Sequence, residues 1–275
     1  MSYCKPGPDG PEEPVCRYGA SKLLFRGPRR ALDAPYVACI GGTDTFGRFV
    51  ENPFPAVLDD RLGMTCVNLG SVSCGLEAMA QDPELMHMAQ EAERCVIQLT
   101  GAHNLSNRLY RVHPRRNDRF LEPSEFLTRL YPEVDFTEFH FTRHLLAHLL
   151  ALSDERFTEV CEELRRAWID RMHHLLAGLE HPAVLLWLQY EGPLAEEQGG
   201  DLGPEPFLVD AGMVAALQDL CAVAIEIPVR ASGDSDELGD MLFGTMQQPV
   251  AEHMIGPVTH HAIAERICKT LLDLD

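Results

Sequence analysis

YVACIGGTDTFG, residues 36–47, decides the fold. Its first six residues are apolar or small, uncharged and without polar alternation, the pattern of a strand buried on both faces of a parallel sheet. Two glycines end the run and Gly47 closes the next turn, so a strand is expected to deliver the chain into a helix start here. Four further runs are short and mainly apolar: MTCVNL at 64–69, RCVIQLT at 94–100, AVLLWLQY at 183–190 and CAVAIEIPV at 221–229. Helical segments separate them, over 54–62, 75–92 with a restart at Pro83, 123–131, 137–151, from Ser153 onward, 210–219 and 257–273. The helix opened by Ser153 is the clearest. It puts Phe157, Val160, Leu164, Trp168, Met172 and Leu175 on one face, with acids early and basic residues late as the helix dipole prefers. Strand and helix alternate, which predicts an α/β three-layer sandwich: a five-stranded parallel sheet with helices on both faces. Ligands in such folds sit beyond the carboxyl ends of the strands at the switch in strand order. That rule selects residues 41–47, 70–75, 101–119, the loop after Tyr190, and 230–256.

At 275 residues the chain reads as an N-terminal arm and lead-in over 1–30 followed by one α/β domain over 31–275, with a long functional loop or lid at 101–122 and no internal repeat. The lead-in from Cys16 to Arg30 is expected to be irregular or briefly helical. Apolar residues make up 45% and charged residues 24%, a globular composition. The net charge of −19 excludes broad binding to nucleic acid or to an anionic membrane, because the long-range field repels phosphate. Nine cysteines, with no CxxC pair and mostly inside apolar runs, read as buried thiols in a reducing compartment. With neither an export signal nor a membrane-length apolar run, the protein is expected to be cytoplasmic.

Three constellations bear chemistry. The turn GGTDTFG at 41–47 lacks the lysine of a P-loop and the spacing of a dinucleotide fingerprint, so no cofactor is expected. It reads as a plain strand-to-helix turn, an anion cradle or a nucleophile turn, with Asp44 and Thr45 as ligand contacts. Two segments, 17–30 and 104–120, hold ten of the 23 Lys and Arg residues of this acidic chain. Arg108, Arg111, Arg115, Arg116 and Arg119 in the second read either as an electropositive mouth for an anionic ligand or as partners of the abundant acids. Among the histidines, His140, His144 and His148 share a helical face, a spacing that could ligate zinc but lacks the glutamate of HExxH, so no metal site is expected. His103 and His253, at strand ends, are the candidates for acid–base work.

The residues after the strands resemble the blocks of the SGNH hydrolase superfamily. Gly41 and Gly47 match the glycines of its first block, and Thr43 falls on the nucleophilic serine. Gly70 or Gly75 matches the second-block glycine, Asn104 the third-block asparagine, and His253 the histidine before the terminal helix. The resemblance implies Thr43 as nucleophile or oxyanion contact, Gly70 and Asn104 as oxyanion donors, and His253 as base. Gly42 stands where the superfamily has aspartate beside the nucleophile, and Val250 stands where the carboxylate partner of the histidine belongs. Threonine is more hindered than serine, and a histidine without its carboxylate loses the group that orients it.

Over nearly its full length the chain also resembles a bacterial family of unknown function, through RYGASKLLFRGPRR at 17–30, GGTDTFGRFVENPFP at 41–55, NLSNRLYRVHPRRNDRF at 104–120, VDFTEFHFTRHLL at 134–146 and AWIDRM at 167–172. Three functions stand on these readings: an SGNH-like esterase or acyl-transfer enzyme acting on an anionic or carbohydrate-type small molecule; a binding domain that lost its catalytic set; and a group transferase whose arginines hold a phosphorylated or sulfated nucleotide donor.

Overall fold

The computed structural model describes residues 12–274. The chain enters through a two-stranded antiparallel ribbon, β1 (Val15–Cys16) and β2 (Phe25–Arg26), then lays down β3 (Tyr36–Gly41), β4 (Thr65–Gly70), β5 (Arg94–Gln98), a hairpin of β6 (Tyr110–Val112) and β7 (Phe120–Pro123), β8 (Ala183–Glu191) and β9 (Cys221–Arg230). Five of these form one sheet in the order β4-β3-β5-β8-β9, every pair parallel. The chain winds outward from β3 to β4, then crosses back to β5 on the other side of β3. The switch in strand order therefore lies between the carboxyl ends of β3 and β5.

Successive strand residues enter opposite cores, which is what a period of two produces in a sheet covered on both sides. Ala38, Ile40, Val67, Leu69, Ile97 and Leu185 face one core, packed by α3 (Leu76–Gln81), α4 (Pro83–Glu91), α6 (Thr142–Leu152) and α7 (Asp154–Ala177). Val37, Cys39, Val96, Val184, Leu186 and Leu188 face the other, beneath α2 (Phe54–Leu62) and α11 (Pro257–Leu274). The Ser153 hydroxyl accepts from the Arg156 N–H and caps α7, as the sequence predicts. On α7, Trp168 is fully buried and its indole N–H donates to the Thr100 carbonyl at 2.8 Å, anchoring the chain where it leaves β5. The shorter helices are α1 (Thr43–Phe46), α5 (Glu125–Leu130), α8 (Pro193–Gly199), α9 (Ala211–Ala215) and α10 (Gln248–Ala251).

The structure refines three expectations. The segment from Cys16 to Arg30 has no helix: it is irregular over residues 17–24, the residues on either side of that stretch pair in the β1–β2 ribbon, and Tyr18, Leu23 and Phe25 belong to the first core. Within it the buried Arg26 guanidinium donates to the carbonyls of Gly47 and Val50 at 2.8 Å each and of Glu51 at 3.2 Å, which fixes the chain leaving α1. The stretch 101–122 is not all loop, since it holds the whole of β6 and the first three residues of β7. The loop after β8 contains α8, because Pro193 suits a first helical turn. The part of the arm over 1–11 lies outside the described residues. All eight cysteines among the described residues are free thiols, and no described helix is long and apolar enough to cross a membrane.

His260 shows the cost of charge in the second core. It is 1% exposed, stacks on Phe54 with the rings 17° from parallel, and accepts the Phe54 N–H on Nδ1 at 3.1 Å. Burial, with Arg26 and His261 nearby, pushes its pKa down to about 3. A neutral buried imidazole that titrates near 6.5 when unfolded stabilises the fold fully above that pH and loses its contribution as pH falls from about 6.5 to about 3. Denaturant midpoints measured from pH 7 to pH 5 should therefore drop, by about 2 kcal/mol from this residue. His260→Gln, which keeps an acceptor but does not titrate, should show a correspondingly shallower pH slope. Equal slopes would show that His260 does not set the acid limit.

Candidate active site

The turn after β3 is held by one buried amide. Gln98, the last residue of β5, accepts on Oε1 from Gly42 N–H at 3.1 Å, Thr45 N–H at 3.2 Å and the Thr45 hydroxyl at 2.7 Å. Its Nε2 donates to Asp44 Oδ2 at 2.7 Å, while the Tyr190 hydroxyl at the end of β8 donates to Asp44 Oδ1 at 2.7 Å. Asp44 is thus a carboxylate with one donor on each oxygen. Burial pushes its pKa up, the Tyr190 and Gln98 hydrogen bonds pull it back, and the Glu205 charge adds to the rise. Burial and the Asp44 charge also push the Tyr190 phenol well up, so Tyr190 stays a donor.

Gly42, Thr43, Asp44, Asn104, Tyr190 and His253 line one cavity of about 250 Å³ beyond the carboxyl ends of β3, β5 and β8. Thr43, Asn104 and His253 come from three segments far apart in sequence, and the structure brings them together. The Thr43 hydroxyl accepts from the Ser73 N–H at 3.1 Å, with Ser73 itself in the left-handed region at φ 57°. Asn104 accepts the Thr142 hydroxyl on Oδ1 at 2.9 Å. His253 follows α10, and its Nδ1 is buried without a partner. Among the described residues no hydrogen bond joins Thr43 to His253, and no carboxylate pairs with the imidazole.

The other site expectations are corrected. Gly70 is not at the cavity: its N–H donates to Asn68 Oδ1 at 2.9 Å, and a Cβ there would stand 2.2 Å from the Phe46 nitrogen, so this glycine serves the close approach of α1 to β4. Thr45 is fully buried, with its hydroxyl spent on Gln98. His103 is 3% exposed behind the cavity, edge-on to Phe207, with Nε2 at 3.5 Å from Glu205 Oε1, and burial lowers its pKa. Arg108, Arg111, Arg115, Arg116 and Arg119 do not line the cavity. Arg108 stacks on Phe126, Arg111 and Arg116 approach Glu122 and Asp118, and Arg119 stacks on Phe141, because the hairpin turns its apolar residues inward and its charges out. His144 and His148 flank Phe139, and no cluster of metal-ligating side chains exists among the described residues.

Two contributors escape sequence reasoning. Arg143 is the arginine at the cavity, but its nitrogens are occupied by Glu205 at 2.7 Å and by the carbonyls of Gln198, Gly199 and Gly203, so it clamps the α8 segment. The charged lining is then Asp44, Asp118 and Glu205 against this one committed cation, an acidic rather than a basic surface. Asn117 is fully buried and accepts on Oδ1 from Gly75 N–H at 2.9 Å and Ala78 N–H at 3.0 Å, at the start of α3, while its Nδ2 donates to the His113 carbonyl at 3.0 Å. It ties the hairpin to the 71–75 turn that carries Ser73. An Asn inside a run of arginines gave no signal except its place in NDRF.

The sequence matches, over residues 1–275, the family described as a domain of unknown function (DUF6473). No curated protein matches the chain. Among solved structures, the lipase Lip_vut3 from a goat rumen metagenome is similar with a TM-score of 0.45 at 12% identity, over 85% of this chain and 96% of that one.

Asn117→Ala strands two helix-start N–H groups and a carbonyl, and should cost about 2 kcal/mol or more in urea denaturation. Asn117→Asp keeps both acceptor bonds and should cost clearly less; equal losses would refute the capping role. Tyr190→Phe removes a donor that favours ionised Asp44, so the Asp44 carboxyl, followed by carbon-13 NMR, should titrate at higher pH than in the wild type.

Proposed function

The chain belongs to the DUF6473 family, and we propose that its cavity cleaves or transfers an ester-linked acyl group on a neutral, hydroxyl-rich small molecule of carbohydrate type. The observation that carries this reading is the meeting of Thr43, Asn104 and His253 at one cavity at the switch in strand order. In the proposed reaction Thr43 Oγ1 attacks the acyl carbonyl and its proton passes to the His253 ring, which closes onto the hydroxyl as substrate fills the cavity. The tetrahedral oxyanion accepts from Asn104 Nδ2, while the Ser73 N–H holds Thr43 Oγ1 in place. The imidazolium then returns the proton to the leaving alcohol. Water, or a second alcohol, attacks the acyl-threonine by the same route.

The ligand class follows from charge. Asp44, Asp118 and Glu205 face a cation already fully engaged, which disfavours a carboxylate, sulfate or nucleotide phosphate and suits hydroxyl groups that donate to carboxylates. Asp118 Oδ1, buried without a partner, is one acceptor for such a hydroxyl. With the arginines elsewhere, the nucleotide-donor reading has no support at this site.

A second reading, a binding domain without turnover, draws on the absent Thr43–His253 hydrogen bond and the missing carboxylate behind the imidazole. An assay on nitrophenyl acetate and acetylated sugars separates the two. Hydrolysis that falls about 100-fold or more in Thr43→Ala and in His253→Ala is the expected result. A wild type inert on every ester, yet raised in melting temperature by the same sugars, would establish the binding reading instead.

A further inference from the structure

The two basic segments that the cavity leaves unused meet elsewhere. Lys22, from the ribbon, and Arg115 and Arg116, from the tip of the hairpin, line one groove of about 530 Å³ on the far side of the 71–74 turn from Thr43. The groove has an apolar floor of buried Leu23 and Phe46. Leu24 and Val15, 42% and 53% exposed, stand at its lips. Beside a groove with an apolar floor, these exposed side chains offer further apolar surface for a ligand to cover.

Among the described residues the charge of the rim is largely uncompensated. Neither Lys22 nor Arg115 forms an ion pair with a described acid, and Arg116 reaches only Asp118, at 3.6 Å. The one acid lining the groove, Glu13, is committed: Oε1 accepts the Phe49 N–H at 2.8 Å and Oε2 lies 3.7 Å from Arg48. His113 Nδ1 accepts the backbone N–H groups of Arg115 and Arg116 at 3.3 and 3.2 Å, a turn that leaves both guanidinium side chains exposed at the hairpin tip. In a chain of net charge −19, a positive rim on which Lys22 and Arg115 have no acid partner among the described residues, over an apolar floor, is complementary to an acyl chain ending in an anion.

We propose that this groove binds a medium-chain fatty acid, its chain on Leu23 and Phe46 and its carboxylate between Lys22 and Arg115. The site stands apart from the ester chemistry, and its test needs no turnover. Isothermal titration of the full chain with decanoate below its micellar concentration should show saturable binding that weakens as salt is raised. Lys22→Glu and Arg115→Glu, both at exposed positions, should each weaken binding tenfold or more, and Leu24→Asp should do so through the apolar side. Decyltrimethylammonium, with the same chain and the opposite charge, should not bind. The proposal is overturned if decanoate fails to bind the wild type, if the double charge-reversal variant binds it unchanged, or if the ammonium amphiphile binds as tightly.

Discussion

The side-chain amide of Gln98 is the constraint on which the site depends. An amide has one acceptor oxygen and two N–H donors, and here the oxygen receives three donors from the turn after β3 while the nitrogen reaches Asp44. The carboxyl ends of β3 and β5 are thereby locked at the switch in strand order, where an open α/β sheet leaves its crevice. Thr43 and Asp44 take their orientation from this lock. Buried in low dielectric, each of these hydrogen bonds is stronger than in water, and each partner would be costly to leave unpaired. The outer side of the same turn is held by Arg26, whose guanidinium gathers the carbonyls of Gly47, Val50 and Glu51.

Polar tethers of the same kind hold the long segment after β5 against the site. Glu77 on α3 accepts the Ser106 N–H, and Glu163 on α7, 4% exposed, accepts the Arg108 N–H at 2.9 Å while its carboxylate is gripped by Arg166. Asn117 supplies the third anchor. A loop with this many buried backbone groups satisfied by helix side chains has little freedom to open, since each opening exposes or strands a carboxylate or an amide. Anchoring from the inside also explains where the arginines go: with Tyr110, Val112 and Phe120 turned into the core, the alternate and tip positions face solvent.

The result is two surfaces of opposite character on either side of one short turn. Asp44, Asp118 and Glu205 face the cavity, and Lys22, Arg115 and Arg116 face the groove. Many basic residues pair with acids across the surface, as Arg156 does with Glu133 and Arg166 with Glu163, but Lys22, Arg115 and Arg116 gather at one groove, where their field is felt locally over about a Debye length.

The sequence by itself determined the layered fold. Uninterrupted apolar runs and 3.6-residue periodicity are local consequences of burial on two faces or one, so the strands from Tyr36 and Ala183, the helix over 54–62, the restart at Pro83 and the Ser153 cap are all legible along the chain. It also marked Thr43, Asn104 and His253 as residues at strand or helix ends that could meet. What only the tertiary structure decided is which polar side chains face the cavity and which are consumed elsewhere. Thr45, Gly70, His103 and the five arginines look as suitable in sequence as Asp44 and Arg143, but hydrogen-bond partners 40 to 150 residues away decide their roles: Gln98 for Thr45, Tyr190 for Asp44, Glu205 for Arg143. A partner at that separation leaves no periodic trace in sequence, because the contact is set by the winding of the sheet and not by the spacing of residues along the chain.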